Sequence, residues 1–280
     1  MWSVPRPGTD AGYLYRTCVA TVSDDDRRAT LEGFEAGVVK AADRYAVEAA
    51  AAALHNLADL ADQPADPDDR KALRRVYTRS LVDTKAGRSH YDALLAAAPL
   101  GRCPFCGHRD VATLDHQLPK SSYPLLAVVP DNLVPACSDC NHLKNNRVAT
   151  TAATQALHPY FEHAEHARWL FARVGSLDPG TVVVFHADPD PAFAPAMRER
   201  IRHQFTEYRL AALYGMQAAR EMAGRRAQLA GLQRAAGPAG LARHLRETAE
   251  SWSKESLNCW QHALYDALAV VAAGQDQAAA

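Results

Sequence analysis

Four of the chain's six cysteines fall in two Cys-x-x-Cys pairs, Cys103/Cys106 and Cys137/Cys140. Between the pairs lie an Asp115-His116 dipeptide and Asn132, and Asn141 follows the last cysteine directly. Two intervening residues let both sulfurs of a pair turn back on one ion, so the pairs offer the four thiolates of a tetrahedral zinc. Four soft ligands close that shell and leave no position for water or substrate. The zinc would be structural, and any catalysis would fall to the residues between the pairs. Those residues suit a second, harder ion. Mg2+ takes oxygen ligands, which the Asp115 carboxylate and the Asn141 side-chain carbonyl both offer. His116, beside the first of them, is placed to deprotonate a water near neutral pH, where an imidazole titrates.

The text CPFCGHRDVATLDHQLPK, followed by DNLVPACSDCNHLKNN, resembles the HNH endonucleases, or ββα-metal nucleases, in the subgroup that carries a zinc knuckle. The resemblance covers about fifty of the 280 residues. It implies that His116 is the general base, that Asp115 is a ligand of a catalytic Mg2+ or Mn2+, and that Zn2+ is structural. It makes Asn132 the residue that holds the loop carrying His116 through side-chain to backbone hydrogen bonds. Asn141 stands where the family's third naming residue is histidine, and its amide oxygen suits Mg2+ at least as well. His142 follows it. Consecutive helical residues diverge by about 100°, so only one of the two faces the ion, and the register after Cys140 favours Asn141. Lys120, Lys144 and Arg147 are candidate phosphate contacts, although each taken singly reads equally well as a solvated charge.

By the same resemblance the reaction is hydrolysis of DNA phosphodiester bonds to 5′-phosphate and 3′-hydroxyl ends. Stand-alone bacterial HNH proteins with helical flanks resemble phage-defence effectors, some of which act beside an ATPase partner. Two other readings stay open. A paired Cys-x-x-Cys site by itself is more often a zinc ribbon that binds nucleic acid without cutting it, and such a protein would be indifferent to His116. An RNA-cleaving toxin would use the same hydrolytic centre on RNA. The formal net charge of −1 does not announce a nucleic-acid binder, so any basic surface is a local patch.

The elements that must position these residues read as an α+β fold, predominantly helical. A ββα-metal finger at residues 101–150 is embedded between an N-terminal helical region, 1–100, and a C-terminal helical region, 151–280, with a short β-hairpin. Residues 24–62 read as one or two helices, with Phe34, Val38, Ala41, Tyr45 and Ala49 as a core-facing stripe. DQPADPDDR breaks the pattern. A helix over 71–81 follows, with Asp68 and Asp69 at its positive end, and then a short helix with Ser89 as cap. VATLDH reads as a strand ending on Asp115-His116, and the loop through Pro119, Pro124 and Pro130 is stiffened by its prolines. His158-Pro159-Tyr160 is expected to return to the site as a support for phosphate or for a ligand. TVVVFHA and RWLFARV read as a hairpin across SLDPG. From 197 onward the chain is helical, with Ile201, Phe205, Tyr208, Ala212 and Met216 on one stripe, Arg200, Arg202 and Arg209 off it, a GPAG break, and a frayed AAGQDQAAA tail.

Cys18 and Cys259 read as buried free thiols, which fits a reducing cytoplasm. The opening MWSVPRPGTD lacks the apolar run of a signal peptide, and the Ala-rich stretch is too interrupted by His55, Asn56 and Asp59 to span a bilayer.

Overall fold

The N-terminal helices open on side-chain oxygens that take up otherwise unpaired amides. Asp10 caps α1 (Ala11–Val19) by accepting from Tyr13 N, and Asp24 caps α2 (Asp25–Glu32) by accepting from Arg27 N. After the uncapped α3 (Glu35–Ala50), Asp66 accepts from Asp68 N and Asp69 N to start α4 (Pro67–Arg75), with Pro67 in the first turn. Asp68 and Asp69 do lie at the positive end of that helix. The segment expected as a helix over 71–81 therefore begins earlier, and at Val76 it widens into a π-helical turn, Val76–Val82. Thr84, not Ser89, caps α5 (Lys85–Ala96) by accepting from Gly87 N, whereas the Ser89 hydroxyl donates back to Ala86 O inside the helix. α1 was not foreseen, because its 9 residues are too few for an apolar period to repeat.

The computed structural model describes residues 2–177 and 180–278. These divide into two compact units, Met1–His163 and Ala164–Ala280, where the sequence suggested breaks near 100 and 150. In the first unit Val38, Ala41, Tyr45 and Ala49 are buried as expected, with Phe34 packed partly against them. They share a core with Leu14, Tyr15, Leu73, Leu126 and Leu133. β1 (Thr113–His116) pairs antiparallel with β2 (Leu133–Ala136), which sets Asp115 opposite Val134 and His116 opposite Leu133. The short α6 (Ser138–Lys144) follows β2 directly. α5 packs on both strands.

In the second unit β3 (Leu170–Val174) and β4 (Val183–Ala187) form the expected antiparallel hairpin, although residues 178 and 179 of its SLDPG turn lie outside the described residues. The Asn258 side chain ties its entry: Oδ1 accepts from Trp169 N at 2.7 Å, and Nδ2 donates to Ala167 O at 2.9 Å. α7 (Pro195–Glu207) is followed by Arg209, whose left-handed φ of 51° resets the phase before α8 (Leu210–Glu255). The single stripe read across this junction is thus broken. Ile201, Phe205 and Tyr208 are buried, but Ala212 and Met216 are exposed and Leu213, Tyr214 and Ala218 take their place. Arg200, expected off the stripe, is buried. α8 is interrupted at Gly237, within GPAG, and α9 (Trp260–Ala278) continues through most of the segment read as a frayed tail, whose residues 279–280 lie outside the described residues. No helix among the described residues is long and apolar enough to cross a membrane.

Gly87 allows α5 to approach the π-helical turn. A Cβ there would lie 2.1 Å from Ser80 O and 2.5 Å from Leu81 Cα, and both obstacles are backbone. Gly87→Ala is expected to cost at least about 1–3 kcal/mol, read as a lowered midpoint in urea with an unchanged slope. A midpoint equal to that of the wild type would show that the two elements part freely.

Candidate metal centre and adjoining cleft

Each Cys-x-x-Cys pair folds its backbone toward its own sulfur. Gly107, at φ 59°, closes the first turn by donating to Cys103 O at 2.7 Å, and Arg109 N points to Cys106 Sγ at 3.5 Å. In the second pair Cys137 caps α6, with Cys140 N at 3.4 Å from Cys137 Sγ. The two turns are joined by an ion pair, Arg109 to Asp139, at 2.9 Å. All four sulfurs are buried and lie within 4.8 Å of one another, so the group is close enough to hold a metal ion such as zinc. Zn–S bonds of about 2.3 Å in a tetrahedron demand sulfur–sulfur edges of about 3.8 Å, which this cluster accommodates.

Asn132 is fully buried and spends its whole side chain on the segment that follows His116. Its Oδ1 accepts from Leu118 N at 2.7 Å, and its Nδ2 donates to Leu118 O at 2.9 Å and Leu126 O at 3.1 Å. Its carbonyl accepts from Gln117 N at 2.9 Å. The neighbouring Asp131 is gripped by Arg6 through paired contacts of 3.0 and 2.7 Å, and its carbonyl lies 3.1 Å from His158 Nε2. Tyr45 OH lies 2.9 Å from the same nitrogen, and Tyr160 OH donates to Leu133 O at 2.6 Å. His158 and Tyr160 therefore return to the strand behind Asn132. Neither lines the cleft.

His116 is buried, and its Nε2 lies 2.9 Å from Ala127 O. A carbonyl oxygen only accepts, so Nε2 carries the proton and Nδ1 keeps its lone pair. Nδ1 makes no hydrogen bond among the described residues. Burial, with the charge of Lys120 adding to it, pushes the imidazole down to about 3, below the near-neutral titration expected from the sequence, so it is neutral near pH 7 and a weaker base than an exposed imidazole. The Tyr77 ring meets the imidazole edge-on at 4.5 Å, and the Lys120 ammonium sits over the Tyr77 ring at 4.7 Å.

Asp115 and Lys144 form a buried pair, each side chain 5% exposed. The Lys144 ammonium lies 3.3 Å from Oδ1 and 3.2 Å from Oδ2, and it also donates to His116 O. Its approach to Oδ2 is close enough for an ion pair but is not aligned as a hydrogen bond, which leaves that oxygen without a hydrogen-bond partner among the described residues. Burial raises the Asp115 carboxyl above its ordinary value and Lys144 opposes that shift.

Tyr77, Asp115, His116 and Lys120 line a cleft of about 460 Å3 that also receives Asn141, His142, Asn145 and Asn146. Asn141 is half-buried and His142 exposed, so both reach the cleft from adjacent positions on α6. Among the candidate phosphate contacts Lys120 lines the cleft, Lys144 lies buried beneath it, and Arg147 is exposed, with its guanidinium donating to the Leu143 and Lys144 carbonyls at the end of α6. Sequence reasoning missed Tyr77, which lies far away in the chain and has no local signal. The burial of Lys144 had one: it stands three residues after Asn141, on the same helical face.

A segment of this chain is similar to a phage protein. The protein ea31 of Escherichia phage lambda is 32% identical over 155 residues, which are 54% of this chain and 52% of the relative. The chain thus spans about half the length of the curated relative it matches. No family model and no solved structure matches the chain.

If the cysteine group holds zinc, elemental analysis of the purified protein will find one zinc per chain, and Cys137→Ser will lose the metal and melting temperature together. Wild-type protein without stoichiometric zinc would end that assignment.

Proposed function

We propose that the cleft is the active site of a metal-dependent endonuclease that hydrolyses DNA phosphodiester bonds. The observation that carries this reading is the pairing, at the end of β1, of a neutral imidazole whose Nδ1 makes no hydrogen bond among the described residues with a buried carboxylate whose Oδ2, though ion-paired with Lys144, has no hydrogen-bond partner among them. His116 is the general base, held in the required tautomer by Ala127 O, and takes a proton from the attacking water at Nδ1. Asn132 keeps the base in place through the clasp on Leu118 and Leu126. The strand, strand, helix order of β1, β2 and α6 beside the four cysteines further supports the resemblance to HNH nucleases.

The donor set fits a hard divalent ion, because Asp115 Oδ2 and the Asn141 side-chain oxygen are both oxygen ligands beside the cleft. Bound there, Mg2+ or Mn2+ would stabilise charge on the phosphate and on the leaving 3′ oxygen. Lys120, over Tyr77 at the cleft wall, supplies a cation for a phosphate oxygen. The name of the phage relative says nothing of chemistry, so the reading rests on the site.

Purified protein incubated with plasmid, single-stranded DNA and RNA is expected to cut DNA with Mg2+ or Mn2+ and to be silent in EDTA. His116→Ala should slow cleavage by about 10²–10⁴-fold while zinc content and DNA binding persist. Cutting by His116→Ala at the wild-type rate refutes the mechanism, binding without any cutting favours the zinc-ribbon reading, and cleavage confined to RNA favours the toxin.

Asn141 and His142 separate in a metal titration. With a neutral oxygen as the second ligand, activity follows Mg2+ and Mn2+, and Asn141→Ala raises the metal concentration required or abolishes cleavage. His142→Ala should be milder, because its side chain points about 100° away around the helix. The opposite ranking would reassign the ligand to His142.

A further inference from the structure

The cleft sets one carboxylate against two ammonium groups. Lys144 lies within 3.3 Å of both Asp115 oxygens, and Lys120, on the wall beside Tyr77, is close enough for its charge to act on Asp115 as well. Asn141, the other oxygen donor, is neutral. Resting on the phosphodiesterase reading above, we infer that Lys144 is a positioning residue that withholds Asp115 from a divalent ion until a phosphate group enters the cleft.

A divalent ion meeting Asp115 alone would gain a full opposite charge. Here that charge is already compensated by an ammonium 3.2 Å away, and at this burial the repulsion between ammonium and ion is little screened. The free protein therefore binds the ion weakly. A phosphodiester brings the negative charge that the cleft lacks, and Lys120 and Lys144 are the groups that favour its entry. Ion and phosphate then strengthen each other's binding by the same factor, as linkage requires. Lys144 is suited to this role because its ammonium also holds the His116 carbonyl and because α6 carries it three residues beyond Asn141. The compensating charge and the neutral ligand thus ride on one helical face, opposite the strand end that bears Asp115 and His116.

The test is Mn2+ binding to the full, zinc-loaded chain by electron paramagnetic resonance, alone and with a phosphorothioate oligodeoxynucleotide that resists cutting. Wild-type protein is expected to bind Mn2+ at least about tenfold more tightly when the oligonucleotide is present. Lys144→Gln keeps an amide donor for the His116 carbonyl and removes the charge. It should tighten Mn2+ binding to the free protein by about tenfold or more and flatten the dependence on oligonucleotide. Lys144→Arg, which keeps the charge, should retain the wild-type pattern, and Asp115→Asn should abolish the binding. Asp115-dependent binding that is unchanged or weakened in Lys144→Gln overturns the inference and leaves the nuclease reading standing. Should Lys144→Gln fail to fold, the wild-type comparison still decides, since equal affinity with and without oligonucleotide overturns the inference. No Asp115-dependent Mn2+ binding under either condition sinks both.

Discussion

One buried amide fixes the segment on which the cleft depends. The Asn132 side chain uses both donors and its acceptor, and its carbonyl closes a further bond to Gln117. These contacts draw the chain just after His116 onto the chain just before β2. Each unpaired backbone group left behind by its removal would cost about 1–3 kcal/mol, and no other side chain has the same donors and acceptor at the same reach. Aspartate lacks the donors and leucine lacks everything. Arg6, His158 and Tyr160 brace the residues on either side, so the clasp has a fixed base from which to hold the loop.

A two-stranded sheet has little stability by itself, and both its edges ask for partners. Here the helical part of the same unit supplies them. Leu114, opposite Pro135 on β2, points its amide and carbonyl outward. Tyr91 OH accepts from Leu114 N at 3.3 Å, and Tyr77 OH donates to Leu114 O at 3.2 Å, so two phenols stand where a third strand would pair. Tyr77 then meets His116 with its ring edge. The same residue pairs the strand's free edge and packs against the imidazole, which couples the helical core to the geometry of the cleft. The four cysteines close the opposite end, between the turn before β1 and the start of α6.

What could be read from the sequence was what acts over a few residues. The cysteine pairs, Asp115-His116, the asparagines and the stripe from Val38 to Ala49 declare themselves through spacing, and the structure gathers the first three into one neighbourhood. Boundaries were read less well, because a cap depends on backbone geometry that Thr84 and Ser89 share equally as residue types. The stripe across residues 201–216 failed at Arg209, where one left-handed residue rotates everything beyond it, a conformation that an arginine does not advertise. The contacts that His158 and Lys144 make were out of reach for a different reason. Their partners, Asp131 and Asp115, stand 27 and 29 residues away, and only the folded chain brings them together.

Lys144 also shows why a net charge of −1 says little about this site. The cleft's own balance is set by three side chains, and two of those are cations. Stability does not account for the buried pair, since the cost of stripping water from two ions commonly equals or exceeds their attraction, and apolar residues of similar volume often fold as well or better. Removing only one partner would be costly, because a lone charge would remain in the interior. The pair is therefore expected to persist as a unit, and on the inference drawn above its value would lie in what it does to a third charge. A carboxylate without Lys144 would then capture a divalent ion at rest, whereas one beside an ammonium would yield to the ion once a second anion has arrived.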